Sequence, residues 1–281
     1  MIPVSFEYYK PENSVEAYNL YNTLSSENKK VYYYSGGSEI ITMSRTYSIK
    51  PDSVIDIKGI LDTLEMKQEN DKLIIGSNVT LSRISESKIF PLLSTTVARI
   101  ADHTNQNRIT LGGNICGTII YKEAVLPLLL TDANVVILSD GSKKELPINS
   151  IFNKRLNILD SDLVLKFIIE SKYINLPYFH IKKTQSEKID YPLLTVCALK
   201  YDGKIRIAFS GLGGYPFRSY TTENIINDNT LTNEDKANQI FINLFSYASD
   251  SIEGSKDYKM FVLKNTILDI LNLKELENGS I

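Results

Sequence analysis

Tryptophan is absent, and cysteine and histidine occur only twice each in 281 residues. Cys116 and Cys197 are too few for a disulfide framework and too far apart for a metal-ligand pair, so both are expected to remain thiols. His103 and His180 stand at no helical ligand spacing from a Cys, Asp or Glu, and no metal ligand is assigned. An excess of one charge is missing as well. Lys plus Arg number 31 and Asp plus Glu 33, a formal charge of −2, which leaves no global field to hold a nucleic acid. Long apolar runs are also wanting. The longest stretches without a charged side chain, Ile109 to Tyr121 and Ala237 to Ser249, have 13 residues each, against the roughly 20 that span a bilayer. The first residues, Met1-Ile-Pro-Val-Ser-Phe-Glu7, show no basic stretch followed by an apolar run, so a cytoplasmic protein without a membrane span is expected. What remains is ordinary globular composition, with 43% apolar and 23% charged residues, enough to build a core. The seventeen tyrosines are dispersed and lack interleaved basic residues, so they do not form a base-stacking platform.

Periodicity and turn chemistry predict a mixture of helices and sheets. Ser14 caps an amphipathic helix carrying Ala17, Leu20, Tyr21 and Leu24. Val31-Tyr-Tyr-Tyr34 is a β-rich run that ends at Ser35-Gly-Gly-Ser38, and Val54 to Ile57 is a second short strand. Leu64 to Lys67 and Lys72 to Ile75 form a hairpin around Gln68 to Asp71. Pro91 opens a helix, Ala124 to Leu130 is helical, and Val135 to Leu138 enters an Asp140-Gly141 turn. Leu163 to Ile169 is a strand. The pattern changes around Glu170 to Pro177, where a domain boundary is placed. Beyond it, Asp202-Gly203 joins Leu193 to Tyr201 and Lys204 to Ser210 in a hairpin, because that pair supplies the positive φ angles of a tight turn. Thr232-x-x-Asp235 starts a helix through Ala248, and Met260, Leu263, Ile267, Ile270 and Leu271 mark a last one.

Two glycine pairs stand out: Gly36-Gly37 after a strand, and Gly112-Gly113 before Asn114. Adjacent glycines let the backbone turn with N–H groups facing outward, a concavity that suits phosphate, although for either pair alone the tight turn is the favoured reading. Neither fits the Rossmann fingerprint or the P-loop.

In order along the chain, Ser35-Gly-Gly-Ser-Glu-Ile40, Val54-Ile-Asp-Ile57, Ile74-Ile-Gly-Ser-Asn-Val-Thr80 and Asn107-Arg-Ile-Thr-Leu-Gly-Gly-Asn-Ile115 resemble the FAD-binding subunit of the molybdenum hydroxylases. That family includes xanthine dehydrogenase and carbon monoxide dehydrogenase. The resemblance continues through Leu126 to Ala133, Lys182-Lys183 to Asp190-Tyr191, and Gly213 to Arg218, covering nearly the whole chain. It implies an α+β fold of the vanillyl-alcohol-oxidase-like type. Residues 1–172 would form the FAD-binding domain, in subdomains of about 1–57 and 58–172, and 173–281 a C-terminal domain with an antiparallel sheet and helices.

The resemblance also implies cofactor contacts, residue by residue. Tyr33, Tyr34, Ser35, Gly36, Gly37, Ser38, Glu39 and Ile40 would wrap the FAD pyrophosphate, and Thr110, Leu111, Gly112, Gly113 and Asn114 would lie along the pyrophosphate and flavin, with Ile100 touching the cofactor. Glu123, one methylene longer than the family's Asp, would meet the adenosine part. Leu165 and one of Lys182 or Lys183 would meet the flavin ring. Tyr191 either stacks on the isoalloxazine or is a partly buried core tyrosine; Cys116 either approaches the flavin or fills the core.

No catalytic side chain is expected of the chain itself. The resemblance implies a subunit that relays electrons from iron–sulfur clusters through FAD to NAD or another acceptor, for substrates such as xanthine or another N-heterocycle. The partners would be a molybdenum-cofactor subunit and a two-iron, two-sulfur subunit, since two cysteines cannot hold a four-ligand cluster. The alternatives are a self-sufficient FAD-dependent reductase and a non-catalytic scaffold that has lost FAD.

Overall fold

Parallel strands need a crossover between them, and the first helix supplies it. In the computed structural model, which describes residues 3–272, β1 (Glu7–Tyr9), β2 (Val31–Tyr34) and β3 (Ser53–Asp56) form a parallel sheet in the order β1-β3-β2. The central strand β3 is buried along its whole length. Helix Ser14–Ser26 crosses from β1 to β2 and packs Ala17, Tyr18 and Leu24 with Val31 and Ile55 in one apolar cluster. Its N-cap is Asn13 rather than Ser14: the Asn13 side chain accepts from the Glu16 N–H at 2.9 Å, and Ser14 is the first helical residue.

A second sheet is antiparallel. It joins β4 (Met66–Glu69), β5 (Lys72–Gly76), β6 (Asn134–Ser139) and β7 (Ser142–Pro147). After a two-stranded ladder of β8 (Phe152–Asn153) and β9 (Arg155–Leu156), β10 (Leu163–Glu170) completes the sheet in the order β4-β5-β10-β6-β7. Asp140 and Gly141 have φ of 49° and 72°, the paired positive values that the β6–β7 turn requires.

A third sheet carries β11 (Tyr178–Thr184), β12 (Pro192–Tyr201), β13 (Lys204–Ser210) and β14 (Phe217–Arg218), antiparallel and in that order. Tyr201 pairs with Lys204 across Asp202-Gly203, as the turn chemistry predicts. Helices Asn233–Leu244 and Lys256–Asn272 cover it, joining Ala237, Ile240, Leu263 and Ile267 to Phe179, Val196 and Phe209 in one core. Thr232 caps the first of them, accepting from the Asp235 N–H at 3.1 Å.

The described residues fall into two compact units, and neither is a single stretch of chain. One takes those within Met1–Glu86, His103–Gly117 and Asp132–Ser171; the other takes those within Ser87–Asp102, Thr118–Thr131 and Lys172–Ile281. Chain order assigns 87–102 and 118–131 to the first domain, whereas they pack with the third sheet. The physical reason is visible in helix Val125–Leu130, all six residues of which are buried. Its terminal carbonyls, Leu129 and Leu130, accept from Arg218 Nη1 at 2.9 Å and Arg206 Nη1 at 2.7 Å, cations suited to the negative end of a helix. Helix Pro91–Val97 likewise sets Thr96 Oγ1 3.6 Å from Cys197 Sγ. Among the described residues no helix is long and apolar enough to cross a membrane.

Candidate functional site

The first glycine pair sits where β2 ends. Gly37 is the N-cap of helix Ser38–Arg45, with φ 70° and no side chain to cap the first turn, in which Glu39 sets a carboxylate at the positive end of the helix dipole. Gly36 has a different task. A Cβ on it would lie 1.8 Å from the Arg108 carbonyl oxygen, so only glycine lets this loop meet the segment leading to the second pair.

Asn78 ties the two loops together. Its Oδ1 accepts from the Ser35 hydroxyl, which also lies 2.8 Å from Thr110 Oγ1, while its Nδ2 donates to the Ile57 carbonyl at 2.6 Å and to Thr63 Oγ1 at 2.7 Å. Sequence comparison of motifs includes Asn78 in a matching run but gives it no role. Tyr33 is anchored beside it, its hydroxyl donating to the Ser161 carbonyl at 2.8 Å and its ring stacked on Tyr21 at 4.9 Å; burial pushes its phenol well above the usual range. The Tyr34 ring lies against Gly37, with Lys58 Nζ 4.3 Å from its centroid. Ser38, Glu39 and Ile40 form the half-buried first turn of the helix.

The second pair departs from expectation. Its N–H groups do not face outward: Leu111 donates to the Val79 carbonyl, Gly112 to the Ser77 carbonyl at 2.8 Å, Gly113 to Thr110 Oγ1 at 3.1 Å and Asn114 to the Thr110 carbonyl. Thr110 caps the short helix Leu111–Cys116 and thereby uses these donors. Gly112 is needed for close packing, since a Cβ there would fall 2.6 Å from Ser77 Cβ.

A cavity of about 240 Å³ adjoins Ser35, Gly112 and Gly113 in the same unit. Its wall includes Arg155, Leu156, Leu159 and Asp162, from the β9 region and the segment after it, which no motif singles out. Two of its lining residues, Ser77 and Asp162, each have a buried oxygen, Oγ and Oδ1, with no hydrogen-bond partner among the described residues. Cys116 is exposed and lines this cavity, so the core-filling reading of it does not hold. Leu165 is wholly buried in the apolar cluster with Leu138 and Ile55; its carbonyl accepts from the Ser77 N–H at 2.9 Å, and it is Val164 that reaches the cavity wall. The side chain of Leu165 is therefore core rather than ring contact. The lining combines an arginine, a serine hydroxyl, apolar side chains and buried acceptors, which suits an anionic ligand that also carries an apolar part and hydroxyl groups.

The remaining candidates lie in the other unit. Lys182 and Glu123, which the resemblance sends to opposite ends of FAD, are bonded to each other: Lys182 Nζ donates to Glu123 Oε2 at 2.8 Å, with their side chains 1% and 4% exposed. Lys182 also donates to the Arg99 carbonyl at 2.8 Å, beside Ile100, and Thr195 Oγ1 donates to Glu123 Oε1 at 2.5 Å. The network pins the turn that carries Ile100. Lys183 points the other way along β11 and is exposed. Tyr191 is half-exposed, stacked on Tyr121 at 5.0 Å, and is no core tyrosine. Among the described residues no group of three or more His, Cys, Asp or Glu could hold a metal ion.

His180 gives this unit a pH dependence. Burial, with Arg99 and Lys182 nearby, holds its imidazole down at about 3 from the ordinary 6.5, and its Nε2 has no partner among the described residues. The unfolded chain binds this proton below pH 6.5 and the folded chain refuses it until about 3, so stability should fall as pH drops through that window. His180→Phe should flatten the difference between urea midpoints measured at pH 7 and pH 5. Burial also pushes the Cys197 thiol up to about 12, which makes it unreactive.

Caffeine dehydrogenase subunit beta of Pseudomonas sp. (strain CBB1) is 25% identical over 236 residues, 75% of this chain and 78% of that one. The carbon monoxide dehydrogenase medium chain of Hydrogenophaga pseudoflava is 27% identical over 156 residues, 54% of this chain and 53% of its own length. Among solved structures, quinoline 2-oxidoreductase from Pseudomonas putida 86 superposes with a TM-score of 0.82 at 17% identity, covering 96% of each chain, which establishes the mixed α and β fold. The relatives are dehydrogenase subunits, and the chain is accordingly an oxidoreductase subunit. Residues 4–169 match the family described as the FAD binding domain in molybdopterin dehydrogenase, and with more than half of its length matched the chain belongs to that family.

Proposed function

We propose that this chain is the electron-relay subunit of a molybdenum-dependent hydroxylase complex, taking electrons from two-iron, two-sulfur clusters on one partner and delivering them to NAD or another acceptor. The observation that carries the reading is the family match over residues 4–169, joined to a cavity whose lining is chemically suited to a dinucleotide. Ser35, Gly36, Gly37 and the first turn of helix Ser38–Arg45 would hold the pyrophosphate, and Arg155 would add a cation. Gly112 and Gly113 would serve by close packing, the space of a missing Cβ being filled by Ser77 and Thr110 and their N–H groups being used within the protein. FAD, when bound, supplies a two-electron carrier that also works in single-electron steps.

Substrate oxidation belongs to a partner, because two cysteines cannot ligate a cluster and no catalytic residue set is assigned. Caffeine and quinoline, carried in the names of two similar proteins, are N-heterocycles, and an N-heterocycle such as xanthine is the substrate class we favour. The chain purified from its native host should bring down a molybdenum subunit and a two-iron, two-sulfur subunit, and substrate should reduce the flavin only in that complex. The isolated FAD-loaded chain should at most reduce dyes with NADH. Heterocycle hydroxylation by the chain alone would move the reading to a self-sufficient reductase, and a chain that never takes up FAD would make it a scaffold.

A further inference from the structure

Asp162 is held by its own turn. Its N–H donates to the Leu159 carbonyl and its Oδ2 accepts from the Leu159 N–H, both at 3.0 Å. The other oxygen, Oδ1, is buried with no partner among the described residues, and so is Ser77 Oγ; both residues belong to the cavity lining. A buried carboxylate oxygen without a donor destabilises a fold, and a second unpartnered oxygen on another residue of the same lining makes an accident of packing a poor explanation. The missing partner must be a hydrogen-bond donor. It cannot be phosphate, which a carboxylate repels, so Asp162 takes a different part of the ligand from the one assigned to Gly37 and Arg155.

We propose that Asp162 Oδ1, assisted by Ser77 Oγ, accepts hydrogen bonds from sugar hydroxyl groups of the dinucleotide, either the adenosine ribose or the ribityl chain. The inference rests on the FAD reading and assigns the anchor within it. Asp162→Asn tests it without changing shape: the amide oxygen keeps the Leu159 N–H bond and turns an NH₂ donor where the acceptor stood. FAD titrated into the variant, followed by flavin fluorescence, should bind about 10- to 100-fold more weakly, the range for a hydrogen bond to a charged group. The unliganded variant should melt no lower than the wild type, since an unpartnered buried NH₂ costs no more than the unpartnered carboxylate oxygen it replaces, while the FAD-induced rise in Tm shrinks. ADP and FMN, titrated separately, assign the hydroxyls: a loss confined to ADP means the ribose, and one confined to FMN means the ribityl chain. Unchanged FAD affinity overturns the inference. So does a variant that fails to fold or melts lower without ligand, which would make Asp162 a structural residue. A wild-type chain that binds no FAD overturns the underlying reading instead.

Discussion

Lys182→Met should lower stability by about 3–5 kcal/mol, the usual cost of removing one partner from a buried ion pair. Glu123 would be left with Thr195 as its one remaining donor among the bonds described here, in a site where its side chain is 4% exposed. The Arg99 carbonyl would lose its donor at the same time. A double variant, Lys182→Met with Glu123→Leu, should recover most of the loss, because replacing a whole buried pair with apolar groups is commonly neutral. Urea midpoints of the wild type, both single variants and the double variant close the cycle. Equal midpoints for Lys182→Met and the wild type would mean that the pair is not buried as the structure has it. By the same geometry Glu123→Ala should destabilise this unit, leaving Lys182 without its carboxylate, and is no selective probe of one end of FAD.

Gly36→Val should abolish FAD binding, with affinity down by at least about 100-fold, or roughly 2.7 kcal/mol. The reason is steric. Even a single added carbon would stand 1.8 Å from the Arg108 carbonyl oxygen, so the first loop must move away from the segment that leads to the second. That displacement also pulls on Ser35, and through it on Asn78 and Thr110. Gly214→Ala is the control. No atom lies within 4 Å of a Cβ at Gly214, so its stability should stay within about 0.5 kcal/mol of the wild type. Circular dichroism on both variants separates loss of the site from loss of the fold.

Local chemistry made much of the fold legible. Asp202-Gly203, Asp140-Gly141 and the Thr232 cap act within a few residues, and each does in the structure what its side chain or φ preference requires. The helix cap moved by one residue because Asn13 and Ser14 are both good caps and only the path of the chain chooses between them. β11 was legible only as a resemblance, since its first five residues, Tyr178 to Lys182, are all buried and the strand shows no alternation to read. The discontinuous units were beyond local reading as well. Segment 118–131 joins its unit through Arg206, Arg218 and Ser210, which lie some eighty residues away.

The site divides in the same way. Gly36 and Gly37 are visible because adjacent glycines after a strand are rare in their effect on the backbone. Asp162 and Ser77 carry no local pattern, and their interest lies in unpaired oxygens that appear only once the chain is folded. Gly112-Gly113 reads like a second anion loop, yet Thr110, Ser77 and Val79 take up the N–H groups of Leu111 to Asn114.

The most direct test of the account is the flavin content of the purified chain. After incubation with FAD and removal of the excess by gel filtration, the visible spectrum should show a protein-bound flavin at close to one FAD per chain, and Gly36→Val should retain none. A folded wild-type chain that emerges colourless would contradict the account.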